Sequence, residues 1–242
     1  MHPRLPLALA GLAVLGLGLN VVVALGIAPS ATNFAAPLTQ RIFYFHVPTA
    51  FASYAAFGVT LLGSVAWLRT RAPRWDRVAA SAAEVGALLT TIALATGTIW
   101  SRVEFFSAET TGGEGFGFLL LRDPKFVTTM ALWLVFLGYL ALRRGMDPGE
   151  GRARLCSAYG VLGFLAVPMS YLSSRFSAHP GEDFLVRSVA PGMAALLWAC
   201  VLIWLVVFAA LFVNRLRLED DLAAAEAGSH APRPAAAAGD SA

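Results

Sequence analysis

A chain of 242 residues that is 57% hydrophobic and only 14% charged departs from soluble domains, in which about 25% of residues are charged. The net charge of +3 comes from arginines scattered in short segments rather than from one basic face, which excludes a nucleic-acid surface. Cys156 and Cys200 lie 44 residues apart with no C-x-x-C or zinc spacing, which argues against a disulfide framework or a thiol redox centre.

The apolar residues fall in six runs, at about 5–28, 46–68, 78–100, 126–142, 155–174 and 189–213. Each approaches the roughly 20 residues needed to cross a hydrocarbon core. The first follows Met1-His2-Pro3-Arg4, and its apolar stretch of some 23 residues exceeds the about 7–15 of a signal-peptide core. It is expected to be a retained helix. The predicted fold is therefore an all-α integral membrane protein with six transmembrane helices. Residues 1–218 form the membrane domain. Residues 219–242 are acidic at first and then Ala/Pro-rich, and are expected to be a short helical extension followed by a disordered tail.

Six spans put both termini and two loops on one side. That side carries Arg4, Arg69, Arg71, Arg74, Arg77, Arg143, Arg144, Arg152, Arg154, Arg215, Arg217 and Arg233, against Arg41, Arg102, Arg122, Lys125, Arg175 and Arg187 on the other. The bias of twelve to six predicts cytoplasmic N- and C-termini by the positive-inside rule. Residues 29–45, 101–125 and 175–188 then lie on the outer face. No internal repeat of fixed period is visible, which weakens an inverted-repeat transporter reading. Glu84, about two turns into the third run, is costly at that depth. It is either functional or, the reading preferred, snorkels toward Arg74 or Arg77.

Two of the four histidines, His2 and His230, sit in the termini without partner residues nearby. His46 opens the second run and His179 precedes the sixth, so the topology brings both to one surface. Each alone fits an ordinary interfacial histidine. Together they fit a shared ligand, because imidazole binds iron, copper or zinc or relays a proton. A zinc site would need further ligands, which Glu182 and Asp183 could supply. Haem needs two axial nitrogens, an apolar surround and cations for its propionates. Phe43, Tyr44, Phe45, Phe51 and Tyr54 near His46, with Arg41, Arg102, Arg175 and Arg187 on the same side, offer these. Aromatics at that depth also form the usual interfacial belt.

The loop after the third run holds a Gly-rich stretch, 110–117, without the G-K-[ST] ending of a phosphate loop, and an apolar patch, Phe116 to Leu121. Asp123-Pro124 reads as a helix start, with Asp as N-cap and Pro at the first helical position.

Three separated segments resemble the cytochrome c maturation protein C (CcmC) family, haem-handling membrane proteins that carry a tryptophan-rich "WWD" segment. They are Arg41-Ile-Phe-Tyr-Phe-His-Val-Pro-Thr-Ala50, then Thr96-Gly-Thr-Ile-Trp100 with Asp123 to Leu142, and Val167-Pro168 through to His179-Pro180. The resemblance covers most of residues 5–215. It implies six spans with cytoplasmic termini, and His46 and His179 as the two axial ligands of haem b iron. Trp100 and Asp123 match positions in and beside the WWD segment. The propionates would lie near Arg41, Arg102, Arg122 or Arg175. The chain departs from the family where W-G-x-x-W-x-W-D should stand. Leu121-Arg122 precede Asp123, about ten extra residues follow Trp100, and Phe176 remains where a Trp-Trp pair is usual. Phe105, Phe106, Phe116 and Phe118 are expected to supply the stacking surface instead.

The resemblance implies a non-enzymatic role: holding haem at the periplasmic face of the bacterial inner membrane and passing it to a membrane-anchored haem chaperone. The implied partners are ABC-transporter subunits and a small membrane protein of the maturation complex. No Walker motif is present, so the chain itself is not expected to hydrolyse ATP. Two other readings stand beside it. One is a non-haem subunit of a transport or redox complex that uses His46 with Glu182 or Asp183 as a proton or metal site. The other is a degenerate relative that keeps only the fold.

Overall fold

A computed structural model describes residues 5–28, 39–104, 115–176 and 191–229. Among these, every regular element is helical. They are α1 (Leu5–Val22), α2 (Phe43–Thr70), α3 (Pro73–Glu104), α4 (Phe116–Leu120), α5 (Pro124–Arg144), α6 (Glu150–Gly163), α7 (Ala166–Leu172) and α8 (Pro191–Ser229). A π-helical turn (Val23–Ile27) extends α1, a 3₁₀ turn (Thr39–Ile42) leads into α2, and another (Ser173–Phe176) follows α7. Six helical segments are long and apolar enough to cross a membrane, α6 and α7 together making the fifth.

The boundaries follow local chemistry. Helix α2 stops at Arg71, whose left-handed φ of 57° turns the chain while its N–H caps the Trp67 carbonyl at 2.8 Å. Pro73 then opens α3, where a missing N–H costs nothing. Asp123 caps α5, its carboxylate accepting from the Phe126 N–H at 2.9 Å with Pro124 at the first helical position. The fifth span breaks at Phe164-Leu165. Pro168 has no N–H to donate to the Phe164 carbonyl, and the Val167 N–H bonds that carbonyl instead at 2.9 Å.

Helix α2 is the hub of the bundle and packs against α3, α6 and α8, while α1 lies along α8. The contact surfaces are made of small residues. Ala52, Ala56, Thr60 and Ser64 recur every four positions on α2, all fully buried, and α3 presents Ala79, Ala80, Ala82 and Ala83, also fully or almost fully buried. At Gly63 an added Cβ would sit 3.0 Å from the Ala79 backbone nitrogen. Such close backbone approach is how helices associate in lipid, where apolar burial alone gives no preference between neighbours.

One polar node sits inside this packing. Pro48 lies within α2 and cannot bond the Tyr44 carbonyl. Asn20 of α1, fully buried, donates to that carbonyl at 3.2 Å and to Cys200 Sγ at 2.9 Å, and its Oδ1 accepts from Trp204 Nε1 at 3.0 Å. The freed backbone oxygen thus ties α1, α2 and α8 together. Both cysteines are buried free thiols.

The arginine-rich end of the bundle is held by ion pairs. Arg143 and Asp76 form a two-pronged pair at 2.7 and 2.8 Å, about a tenth exposed on each side. Glu84 pairs with Arg215 of α8, not with Arg74 or Arg77 as the sequence suggested. Arg77 lies two turns away on the same helix, about 10 Å along the axis, and reaches Asp220 at 2.6 Å instead. Helix α8 runs for 39 residues, about 58 Å at 1.5 Å per residue. It outruns a hydrocarbon core of about 30 Å, and its extension is pinned to α3 by the Arg215 and Arg77 pairs.

Candidate functional site

His46 lies one turn into α2, at the opposite end of the bundle from the arginine cluster. Its half-buried ring is pressed against α3. Nδ1 is 3.0 Å from the Ala93 carbonyl oxygen and 3.2 Å from Thr96 Oγ1. The Thr96 hydroxyl donates its own hydrogen to the Ile92 carbonyl at 2.8 Å, so toward the ring it can only accept. Nδ1 must therefore be the protonated nitrogen, and the lone pair of the neutral ring falls on Nε2. That is the tautomer a metal-ligating histidine adopts when a carbonyl orients it from behind.

Space for the ring is provided by Gly97, where a Cβ would come within 2.7 Å of His46 Cε1. Trp100, one turn further along α3 and almost wholly buried, packs its indole 6.0 Å from the imidazole and 5.9 Å from Phe43, centroid to centroid. Ala93, Gly97 and Trp100 share one face of α3, and together they seat the histidine. Trp100 thus forms the wall behind the ring.

The cleft in front of His46 is lined by Ala50 and Tyr54 of α2, Leu94 and Ser101 of α3, and Asp123, Lys125, Phe126 and Thr129 at the start of α5. Its cavity is about 60 Å³, room for a few waters and far short of a macrocycle. A porphyrin could bring its iron to the mouth, with the ring lying on the outer surface. Asp123, which caps α5 with one carboxylate oxygen, faces this cleft from across the α3–α5 seam. Lys125, the chain's one lysine, donates to the Ser170 carbonyl at 2.7 Å and to Tyr54 Oη at 3.1 Å. Tyr54 and Thr129 hydroxyls both meet Ser170 Oγ, at 3.0 and 2.9 Å, which locks α2, α5 and α7 around the site.

The remaining candidate residues are spread over the same end. Arg41 donates to the Leu25 carbonyl and anchors the turn before α2 to the end of α1. Arg122 stacks over Phe118 at 4.1 Å and Arg102 over Phe116 at 5.4 Å, so guanidinium groups from both flanks hold the short apolar helix α4. Arg175 lies in the 3₁₀ turn after α7, and Phe176, which ends that turn, is 80% exposed. His179, Glu182, Asp183 and Arg187, with Phe105, Phe106 and most of the Gly-rich stretch, lie outside the described residues. Among the described residues no three His, Cys, Asp or Glu side chains converge as metal ligands.

Sequence reading brought His46, Tyr54, Trp100 and Asp123 to this site and missed Gly97, Lys125 and Thr129. Gly97 had a legible signal: an isolated glycine inside a helical run, costly by propensity, usually has a packing reason. Lys125 was counted only as a charge.

Several known proteins with related sequences carry the name heme exporter protein C. Heme exporter protein C of Paracoccus denitrificans is 30% identical over 190 residues, covering 75% of this chain and 73% of that protein. The protein of that name from Escherichia coli K12 is 26% identical over 216 residues, 87% of this chain and 81% of that one. Its Bradyrhizobium diazoefficiens counterpart is 29% identical over 152 residues, 62% of this chain and only 54% of the relative's length. The cytochrome c assembly protein family model matches residues 6–179, which include the whole seat of His46, and the chain belongs to that family.

Proposed function

We propose that this chain handles haem during c-type cytochrome maturation, holding haem b as cargo at the outer face of the bacterial inner membrane. The observation that carries this reading is the carbonyl-oriented His46, whose Nδ1 bond to Ala93 leaves the ring's lone pair on Nε2, the form suited to ligating a metal. Membership of the cytochrome c assembly family and the haem exporter name of its relatives supply the substrate class. His179 is the second axial ligand, and the charge bias of the loops orients the histidine end outward with both termini cytoplasmic.

The donor set suits iron porphyrin better than a bare metal ion. Among the described residues, the cleft near His46 offers one imidazole nitrogen, largely apolar walls and Lys125, rather than several converging carboxylates or thiolates. Two axial histidines fill the iron's open positions, which favours carrying over oxygen chemistry. Arg41, Arg122 and Arg175, at the same end of the bundle, are the candidates to meet the propionates, and Phe116 with Phe118 on α4 offers an apolar surface for the exposed ring. Because the small cavity leaves most of the macrocycle outside the bundle, an acceptor can reach the haem without the helices parting. The acceptor in this reading is a membrane-anchored haem chaperone. ABC-transporter subunits and a small membrane protein complete the assembly.

The test is the visible spectrum of detergent-purified protein, wild type beside His46→Ala and His179→Ala. The expected result is a six-coordinate, low-spin spectrum altered in both variants. A wild type that neither carries haem nor binds it when added sinks the proposal, and leaves a proton or metal site at His46 or a degenerate relative in its place.

A further inference from the structure

A second cavity opens at the other end of the bundle, and it has nothing to do with His46. It measures about 530 Å³, within the about 300–1,000 Å³ of small-molecule sites. The α2–α3 turn, the loop joining α5 to α6, and the extension of α8 enclose it. Glu219, Leu222 and Ala223 line it at the i, i+3, i+4 spacing of a single helix face, so the extension of α8 past the membrane forms one of its walls.

Its charges are unequally partnered. Of the four arginines that line it, Arg71 pairs with Glu150 at 3.3 Å, Arg77 with Asp220 at 2.6 Å, and Arg143 with Asp76 at 2.7 Å. Arg152 alone has no acidic partner among the described residues, and its Nε is buried with no hydrogen-bond acceptor. An arginine without a carboxylate partner leaves the lining one uncompensated cation, and the group that suits a planar guanidinium fork best is a tetrahedral or planar oxyanion. The rest of the lining combines the carboxylates Asp76, Glu150 and Glu219, each already paired with an arginine, with apolar residues and Trp67, which carries the Arg71 guanidinium over its ring at 4.7 Å. A cationic fork in a half-apolar chamber at the membrane surface suits an anionic head with an organic body.

We propose that this cavity binds a phosphate-bearing anion, with Arg152 gripping the phosphate oxygens. The phosphate could belong to the headgroup of an anionic phospholipid of the adjoining leaflet or to a soluble nucleotide. Phosphate occupancy would bridge α6 to the extension of α8 and so link the arginine-rich loops into one unit. The site stands independently of haem and can be tested without it.

The experiment is native mass spectrometry of the full chain in detergent. The protein is mixed in one arm with equal amounts of phosphatidylglycerol and phosphatidylcholine, and in the other with ADP. Wild type is compared with Arg152→Gln and with Arg144→Gln, which removes an exposed arginine at the same end but outside the cavity. Retention of phosphatidylglycerol over phosphatidylcholine, reduced about tenfold in Arg152→Gln and unchanged in Arg144→Gln, supports the site with a lipid source. The same pattern for ADP supports it with a soluble source. Should Arg152→Gln fail to elute as a single folded species, Arg152→Lys carries the comparison. It keeps the charge, loses the fork, and is expected to bind with intermediate strength. Binding of neither probe, binding that survives both Arg152 changes, or equal loss in Arg144→Gln overturns the proposal.

Discussion

Gly97 offers the sharpest test of how the histidine is seated, because a single methyl group interrogates the position of the ring. In Gly97→Ala the new Cβ would lie 2.7 Å from His46 Cε1 and 3.1 Å from Nδ1, against an ordinary contact of 3.4 Å or more. The imidazole or α3 must therefore give by about 0.7 Å, and insertions of this kind into packed sites cost about 1–3 kcal/mol. The displacement falls on the ring that Ala93 and Thr96 hold, so their hydrogen bonds at 3.0 and 3.2 Å lengthen or break. Loss of such an orienting partner weakens metal binding by about 10–100-fold. Alanine is the better helix former by about 1 kcal/mol, so the helix itself does not suffer. Gly58→Ala on α2, where a Cβ meets nothing within 4 Å, is the matched control. Titration of haem into detergent-purified protein, followed at the Soret band, should show Gly97→Ala binding about 10–100-fold more weakly and Gly58→Ala binding as wild type. Gly97→Ala with wild-type affinity and spectrum would refute the seat described for His46.

Other consequences follow from the same geometry. Asn20→Leu strands the Tyr44 carbonyl and the Trp204 indole N–H in the bundle interior; with such bonds averaging about 0.6 kcal/mol and reaching about 1.7 in membranes, the thermal midpoint in detergent should fall, and an unchanged midpoint would show that water or another side chain replaces the amide. Removing Arg143 alone leaves Asp76 charged and nearly buried, at a cost of about 3–5 kcal/mol, whereas the double change Arg143→Leu with Asp76→Leu should recover most of it; equal loss in single and double variants in a denaturation series would argue against the pairing. Glu84→Gln should leave haem binding as in wild type, since the carboxylate serves Arg215 at the far end of the bundle; a haem-binding defect would return Glu84 to the functional candidates.

The architecture was legible because lipid imposes a simple rule. Six apolar runs of sufficient length become six spans, and the structure contains six such helices. The start of α5 was equally plain, since Asp123-Pro124 carries both halves of an N-terminal signal. What could not be read was any relation that depends on which helix lies beside which. Asn20 is an unremarkable polar residue in a run of leucine, valine and glycine until the helices are assembled. Only then does it meet the carbonyl that Pro48 leaves open, 24 residues away. Glu84 was assigned to arginines near it in sequence, but the helix axis keeps those too far off, and α8 delivers Arg215 from 131 residues away. The extension of α8 was half visible. Arg215 and Glu219 show the i, i+4 spacing of a helical pair, yet nothing in the tail's composition says that Leu222 and Ala223 wall a cavity.

The site itself divides along the same line. His46 and Trp100 stand out by residue type, but type alone suggests a haem-stacking indole, and Trp100 is instead 1% exposed behind the imidazole. The short stretch from Ala93 to Trp100 makes sense as a unit once its helical phase is considered. Positions 93, 97 and 100 fall on one face, and each serves the same ring: a carbonyl to orient it, a missing side chain to admit it, and an indole to back it. Thr96 adds the second acceptor from the edge of that face. In the proposed function, the stretch Thr96-Gly-Thr-Ile-Trp100 serves to hold one nitrogen toward the mouth of the cleft. The Trp-rich segment beyond it, where this chain departs, would meet the exposed macrocycle, and an apolar surface there can be assembled from Phe116 and Phe118 under their arginines as well as from indoles. In the proposed function, ligand orientation tolerates only about 0.5 Å of error whereas stacking tolerates a change of aromatic ring, so the first is expected to be held in detail and the second to be open to rebuilding.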